Sequence, residues 1–124
     1  MSWAVSVKGV VEWEDGVLLL HNERDEWELP GGQLEVGDPG PEAALRRELA
    51  EEVGIDVVVG ELLTAYRYDP LPERPVLIVA YRCDAPRPER LWHSHEHDRI
   101  DVFARAELAA LALPEGYRRV IELA

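Results

Sequence analysis

Glu48, Glu51 and Glu52 stand within five residues of one another, a helix-length behind the glycine pair Gly31-Gly32, in a chain of net charge −12. At about 100° per residue the three carboxylates share one side of a helix, next to an apolar stripe of Leu45, Leu49 and Val53. Such a helix packs by the stripe and offers acids along its edge. Local stability opposes the arrangement. Glu48 and Glu52 are like charges four apart, which costs roughly 0.2–0.5 kcal/mol. Glu51 and Glu52 also fall in the last turn before Gly54, a C-cap signal, where the helix dipole disfavours acids by roughly 0.3–1 kcal/mol. A bound divalent cation reverses both penalties, because Mg²⁺ takes oxygen ligands and reaches proteins through a few carboxylates together with substrate phosphates. The bland alternative is a solvated acidic face relieved by salt bridges, with Arg47 paired to Glu51 at i,i+4. The glycine turn upstream favours the metal reading.

A second stretch able to do chemistry is Trp92-His93-Ser94-His95-Glu96-His97-Asp98. In an extended chain His93, His95 and His97 would point the same way, as in a zinc or copper cluster. Against this, no obvious partner ligands occur elsewhere, and the proline-rich segment before it indicates a loop.

The elements that must position these residues are legible in outline. Trp3 to Glu12 alternates through Val5, Val7 and Val11, and Glu14-Asp15-Gly16 turns into Val17-Leu18-Leu19-Leu20. Val57 to Tyr68 and Val76 to Cys83 read as two further strands around the proline-rich loop 69–75, and Asp101-Val102-Phe103 as a short last strand. Ala106 to Leu111 and Pro114 to Leu123 read as helices, with Pro114 in a first turn. Asp38-Pro39-Gly40-Pro41 reads as the start of the acidic helix, with Asp38 suited to the N-cap. Strands mixed with helices, without repeats or linkers, imply an α/β fold in one domain over residues 1–124: an α/β/α sandwich around a mixed sheet.

Gly32 to Ile55 resembles the Nudix hydrolase signature, Gly-x5-Glu-x7-Arg-Glu-U-x-Glu-Glu-x-Gly-U, where U is a bulky aliphatic residue. Arg47, Glu48, Leu49, Glu51, Glu52, Gly54 and Ile55 fill its second half, and Trp27-Glu28-Leu29-Pro30-Gly31-Gly32 looks like the family's lead-in. The first half departs twice: Asp38 stands where the family has Glu, and eight residues rather than seven separate it from Arg47. The family's Glu braces the signature arginine, so whether Asp38 reaches Arg47 is the open point.

The resemblance implies the Nudix-type sandwich and metal-dependent hydrolysis of a phosphoanhydride in a nucleoside diphosphate linked to another moiety, with Mg²⁺ or Mn²⁺ as cofactor. Glu48 and Glu52 would hold the principal cation, Glu51 would contribute directly or through water, and the carbonyl near Gly32 would complete the shell. Arg47 would orient Glu48 or Glu51. Glu96, a loop acid ahead of a strand ending in Phe103, would be a distal ligand or the general base, with Asp98 and Glu89 as reserves. Glu52 competes with Glu96 for the base role. Arg24 and Trp27 are substrate-binding candidates; Tyr66, Tyr68, Arg67 and Arg74 could also stack on a base or meet a distal phosphate. ADP-ribose, a dinucleotide and a nucleoside triphosphate all remain open as substrates. A non-hydrolytic nucleotide-binding module is the alternative, weakened because all three signature glutamates are present. A diphosphate isomerase is a third, disfavoured for want of a segment to enclose an isoprenoid.

Composition bounds the partners. The charge of −12 argues against binding nucleic-acid polymers or anionic membranes, whose affinity comes from Lys and Arg. No apolar run approaches the length of a membrane span, and no signal-peptide core is present. Cys83, the single cysteine, excludes an intrachain disulfide and reads as a core residue on a strand. A cytoplasmic protein is the expectation. Many related hydrolases are homodimers, in which the N-terminal strand could take part.

Overall fold

Alternating apolar side chains send the strands' two faces into two separate cores. In β1 (Ala4–Trp13) Val7 and Val11 face one core and Val10 the other, and in β2 (Gly16–His21), buried throughout, Leu18 and Leu20 part from Val17 and Leu19. The computed structural model that shows this describes residues 3–71 and 73–124. β3 (Trp27–Glu28) and β4 (Gly31–Gln33) follow, then α1 (Pro41–Val53), β5 (Val58–Leu71), β6 (Arg74–Asp84), β7 (Arg99–Phe103), a 3₁₀ turn over Arg105–Ala110, and α2 (Glu115–Leu123).

The stripe of α1, Ala44, Leu45, Leu49 and Val53, closes the first core against Tyr81 and Cys83 of β6. Tyr117, Val120 and Ile121 of α2 close the second against Ile78 and Ala80. The result is the expected α/β/α sandwich. Its sheet is mixed: β1 runs parallel to β6, β5 is antiparallel to β6, and β2 is antiparallel to β3 and β7. The outer edge of β1 is shared. Near its start it pairs with β4, Val7 opposite Gly32, and at its end with β2, Glu12 opposite Val17. This branching lays Gly31-Gly32 between β1 and α1, which is where the acids emerge.

Sequence and structure part in four places. β3 and β4, two and three residues long, carry no alternation to read. The segment read as a helix over Ala106 to Leu111 is a 3₁₀ turn, in which Glu107 accepts from the Ala104 backbone N–H at 2.8 Å. β5 and β6 extend into the proline-rich connection, whose Pro72 lies outside the described residues. Asp38 is not the N-cap of α1; Gly40 holds that position without a side-chain cap, and Pro41 opens the helix. At the other end Gly54 takes the left-handed conformation (φ 65°, ψ 26°) and donates to Leu49 O, the expected C-cap.

Candidate active site

Asp38 reaches Arg47. Its two carboxylate oxygens accept from Nε and Nη2 at 2.9 Å each, and the Glu35 backbone N–H donates to it at 2.8 Å. The longer loop therefore offsets the shorter side chain, in a two-pronged pairing suited to the planar guanidinium. This contact holds the Asp38 carboxyl down at about 2, with the Glu35 amide assisting. Arg47 also approaches Glu35 and Glu48 at 3.1 Å and Glu51 at 3.2 Å. One guanidinium thus gathers four carboxylates on the solvent side of α1. The i,i+4 pair expected of an idle acidic face is among them.

Glu52 does not belong to that idle face. It is buried, only 4 % exposed, and turns away from Arg47 into the protein. A solvated acid would not do this, since burying a carboxylate is costly unless a cation answers it. The answering group is His97. Its Nδ1 lies 2.6 Å from Glu52 Oε1, close but not aligned as a hydrogen bond, and its Nε2 bonds Glu28 Oε1 at 2.7 Å. Burial pulls the imidazole's affinity for a proton down, and the carboxylates of Glu28 and Glu52 outweigh it, raising His97 to about 9. Burial alone would raise Glu28; the His97 bond, with Lys8 and Asn22 behind it, brings it down to about 2. The loop is also tied to the helix by its backbone, Ser94 N–H donating to Glu52 O at 2.8 Å. That carbonyl is one of those a helix C-terminus leaves without an internal partner.

Between these two groups lies a cavity of about 460 Å³, lined by Gly31, Gly32, Gln33, Glu28, Glu35, Glu48, Glu51, Glu52, the loop residues 94–97 and Lys8. Six glutamates face it against a single lysine, so the lining is strongly acidic. Burial, the leading influence, raises the Glu48 carboxyl, and Arg47 works against it. A Cβ at Gly32 would collide with the Glu48 carboxylate. The absence of a side chain there makes room for the acid against β4. Hard oxygen donors around a glycine cradle suit Mg²⁺ or Mn²⁺, and His97 Nδ1 beside Glu52 adds a nitrogen. Among the described residues no three His, Cys, Asp or Glu side chains already enclose a common ion position.

Glu48, Glu51, Glu52, Glu96 and Gly32 are thus brought to one cavity, and Arg47 backs it. Glu96 is exposed, its N–H 3.4 Å from Ser94 Oγ, and free to face an incoming ligand. Arg24 and Trp27 do not line the cavity. Trp27 is a core residue, packed edge-on against His21 and Phe103 at 5.1 and 4.7 Å, so its expected substrate contact gives way to packing. Arg24 pairs with Glu26 at 3.2 Å. Tyr66, Tyr68, Arg67 and Arg74 also lie outside the cavity lining. Asp98 is engaged by His21 at 2.8 Å, which removes it from reserve. The histidines form no cluster: His93 Nδ1 meets Ser94 O, His95 is exposed, and only His97 turns inward. Cys83 is buried, its thiol pushed up to about 12 by that burial.

Sequence reasoning missed Glu28 and Lys8, and weighed His97 only as one of three clustered histidines. Lys8 is buried on β1 and donates to Leu29 O at 3.2 Å, its ammonium 5.6 Å from the Tyr117 ring centre. A lysine interrupting the run Val5-Ser6-Val7-Lys8-Gly9-Val10-Val11 was its available signal.

A sequence profile of the NUDIX domain matches residues 3–124. A MutT-like protein of Streptomyces ambofaciens is 45% identical over 82 residues, 64% of this chain and 51% of that one. An 8-oxo-dGTP diphosphatase of Proteus vulgaris is 48% identical over 52 residues, 42% of this chain and 45% of that one. The matches span about half the length of these relatives. In three dimensions the chain superimposes on a MutT NUDIX hydrolase from Burkholderia pseudomallei with a TM-score of 0.84, 23% identity and coverage of 99% and 98% of the two chains, a likeness of fold. No helix among the described residues is long and apolar enough to cross a membrane.

Proposed function

The chain belongs to the NUDIX family, and on that footing we propose that it hydrolyses a phosphoanhydride bond in a nucleoside diphosphate linked to another moiety, using Mg²⁺ or Mn²⁺. NUDIX hydrolases generally use divalent metals. The observation that carries the reading is the cavity beside the C-terminal half of α1, where six glutamates surround a glycine cradle. A diphosphate would be repelled from this lining without a bridging cation. Among the open substrates, a nucleoside triphosphate ranks first, because a relative bears the name 8-oxo-dGTP diphosphatase. ADP-ribose and dinucleotides follow. The catalytic unit we assign is the single domain 1–124, acting in the cytoplasm; a homodimer is compatible with it.

Glu48, Glu51, Glu52 and the backbone carbonyl at Gly32 would hold the ion. When bound, it supplies charge withdrawal from the phosphoryl oxygens and an acidified water. Asp38 fixes Arg47, and Arg47 in turn orients Glu48 and Glu51 toward the cavity. A carboxylate then takes the proton of the attacking water. Glu96 fits this role best, because it lines the cavity, is exposed and has no side-chain partner among the described residues, whereas Glu52 is already committed to His97.

The test is a panel of ADP-ribose, dinucleoside polyphosphates, nucleotide sugars and nucleoside triphosphates, with products identified by mass. Mg²⁺-dependent cleavage between phosphorus atoms in at least one class is the expected result. No cleavage across the panel, or cleavage elsewhere in the molecule, counts against the assignment.

A further inference from the structure

We propose that His97 is a nitrogen ligand of the divalent-ion site, binding through Nδ1 beside Glu52 and biasing the site toward first-row transition ions over Mg²⁺. The inference rests on the metal-dependent reading above and goes beyond it, since that reading uses oxygen donors alone.

The geometry begins at Asn22. Its Nδ2 donates to Glu28 Oε2 at 3.0 Å, and Glu28 Oε1 meets His97 Nε2 at 2.7 Å. An ionised carboxylate only accepts, so Nε2 carries the hydrogen of this bond. Nδ1 is then the atom a cation would take, in exchange for the proton that Glu28 and Glu52 favour on the ring. It is buried, makes no aligned hydrogen bond among the described residues, and sits 2.6 Å from Glu52 Oε1 on a ring only 9% exposed. A hydrogen-bonded pair would point at each other. Two ligands of one ion would instead turn toward the ion, and Nδ1 and Glu52 Oε1 lie side by side without the alignment of a hydrogen bond.

The surrounding pattern agrees. A metal-bound histidine commonly donates its other ring N–H to a carboxylate, which fixes the ring and raises its basicity. Glu28 stands in that place, itself held by Asn22. Imidazole nitrogen favours first-row transition ions, whereas Mg²⁺ favours an all-oxygen shell. The rival role for His97 is an imidazolium that merely neutralises Glu28 and Glu52.

Pulsed electron paramagnetic resonance of Mn²⁺ bound to the full chain separates the two. The inference expects a directly bonded ¹⁴N coupling that changes to ¹⁵N when the histidines are ¹⁵N-labelled, a result that needs no variant. The coupling should vanish in His97→Gln and persist in His93→Gln and His95→Gln. Glu28→Gln should weaken Mn²⁺ binding by about 10–100-fold, and His97→Gln should lower the preference for Mn²⁺ over Mg²⁺ by at least about tenfold. Mn²⁺ bound without nitrogen coupling, or with coupling that survives His97→Gln, overturns the inference and leaves the hydrolase reading standing. Failure of the wild-type chain to bind Mn²⁺, together with turnover indifferent to chelator, overturns both.

Discussion

Helix α1 meets two basic side chains, and they treat its glutamates in opposite ways. On the solvent side Arg47 collects Glu35 and Glu51, both exposed, and Asp38 and Glu48, both largely covered, through a permanently charged fork. On the buried side His97 faces Glu52 alone among the helix acids, and Glu28 holds it from behind. The first group is a frame, adjustable and screened by water. The second is tightly enclosed, and a change there has no solvent to absorb it. A metal site built between them would take its orientation from Arg47 and its fixed point from Glu52.

That contrast predicts a gradient of effects. Glu52→Gln should lower kcat by at least about 100-fold, with the circular dichroism spectrum unchanged because His97 keeps its bond to Glu28. Near wild-type turnover would show that the buried side is structural only. Gly32→Ala comes next. Its Cβ displaces the Glu48 carboxylate, so turnover should fall about tenfold or more, a loss of geometry of the kind that costs up to 100-fold per ångström. A fully active Gly32→Ala would show that Glu48 need not lie against β4.

Arg47→Lys tests the frame itself. Lysine cannot reproduce the two-pronged contact with Asp38, so the urea midpoint of unfolding should fall. Unchanged stability in urea titration would mean that the frame positions the acids without supporting the fold.

The smallest effect is one of pH. Asp38 is depressed from 3.8 to about 2 by Arg47. A carboxyl that ionises more easily when folded stabilises the protein above its unfolded pKa. That contribution is full above the ordinary carboxylate range and is lost as pH falls through it toward about 2. Asp38→Asn should therefore narrow its stability gap to wild type between neutral pH and pH about 3. A gap constant across that range would show that the Asp38–Arg47 pairing does not contribute.

The same contrast explains what could be read from sequence. The frame's contacts are local: Arg47 to Glu48 and Glu51 within one helical turn, and Asp38 nine residues away in the preceding loop. Helical periodicity and a recognisable spacing suffice to expect them. Glu28 and His97 are separated by 69 residues and meet only because β2 pairs with both β3 and β7, carrying their flanking loops together. No periodicity reports on that. For the same reason the two-residue β3 escaped notice, while β1, β2 and both long helices, with repeated apolar alternation or a full stripe, were legible. Trp27 misled because an aromatic beside a glycine turn looks like a stacking surface; the core behind β3 claims it instead.

On the function proposed above, the acids of α1 serve a divalent cation during phosphoanhydride cleavage. The most direct test is the rate of product formation against Mg²⁺ concentration, for wild type and Glu52→Gln side by side on the best substrate of the panel. Wild type should show saturable dependence on Mg²⁺, complete loss with chelator, and recovery on adding the ion back, while Glu52→Gln stays near baseline at every concentration. Turnover that persists in chelator, or a Glu52→Gln curve that overlays wild type, would show that these acids do not serve a catalytic cation.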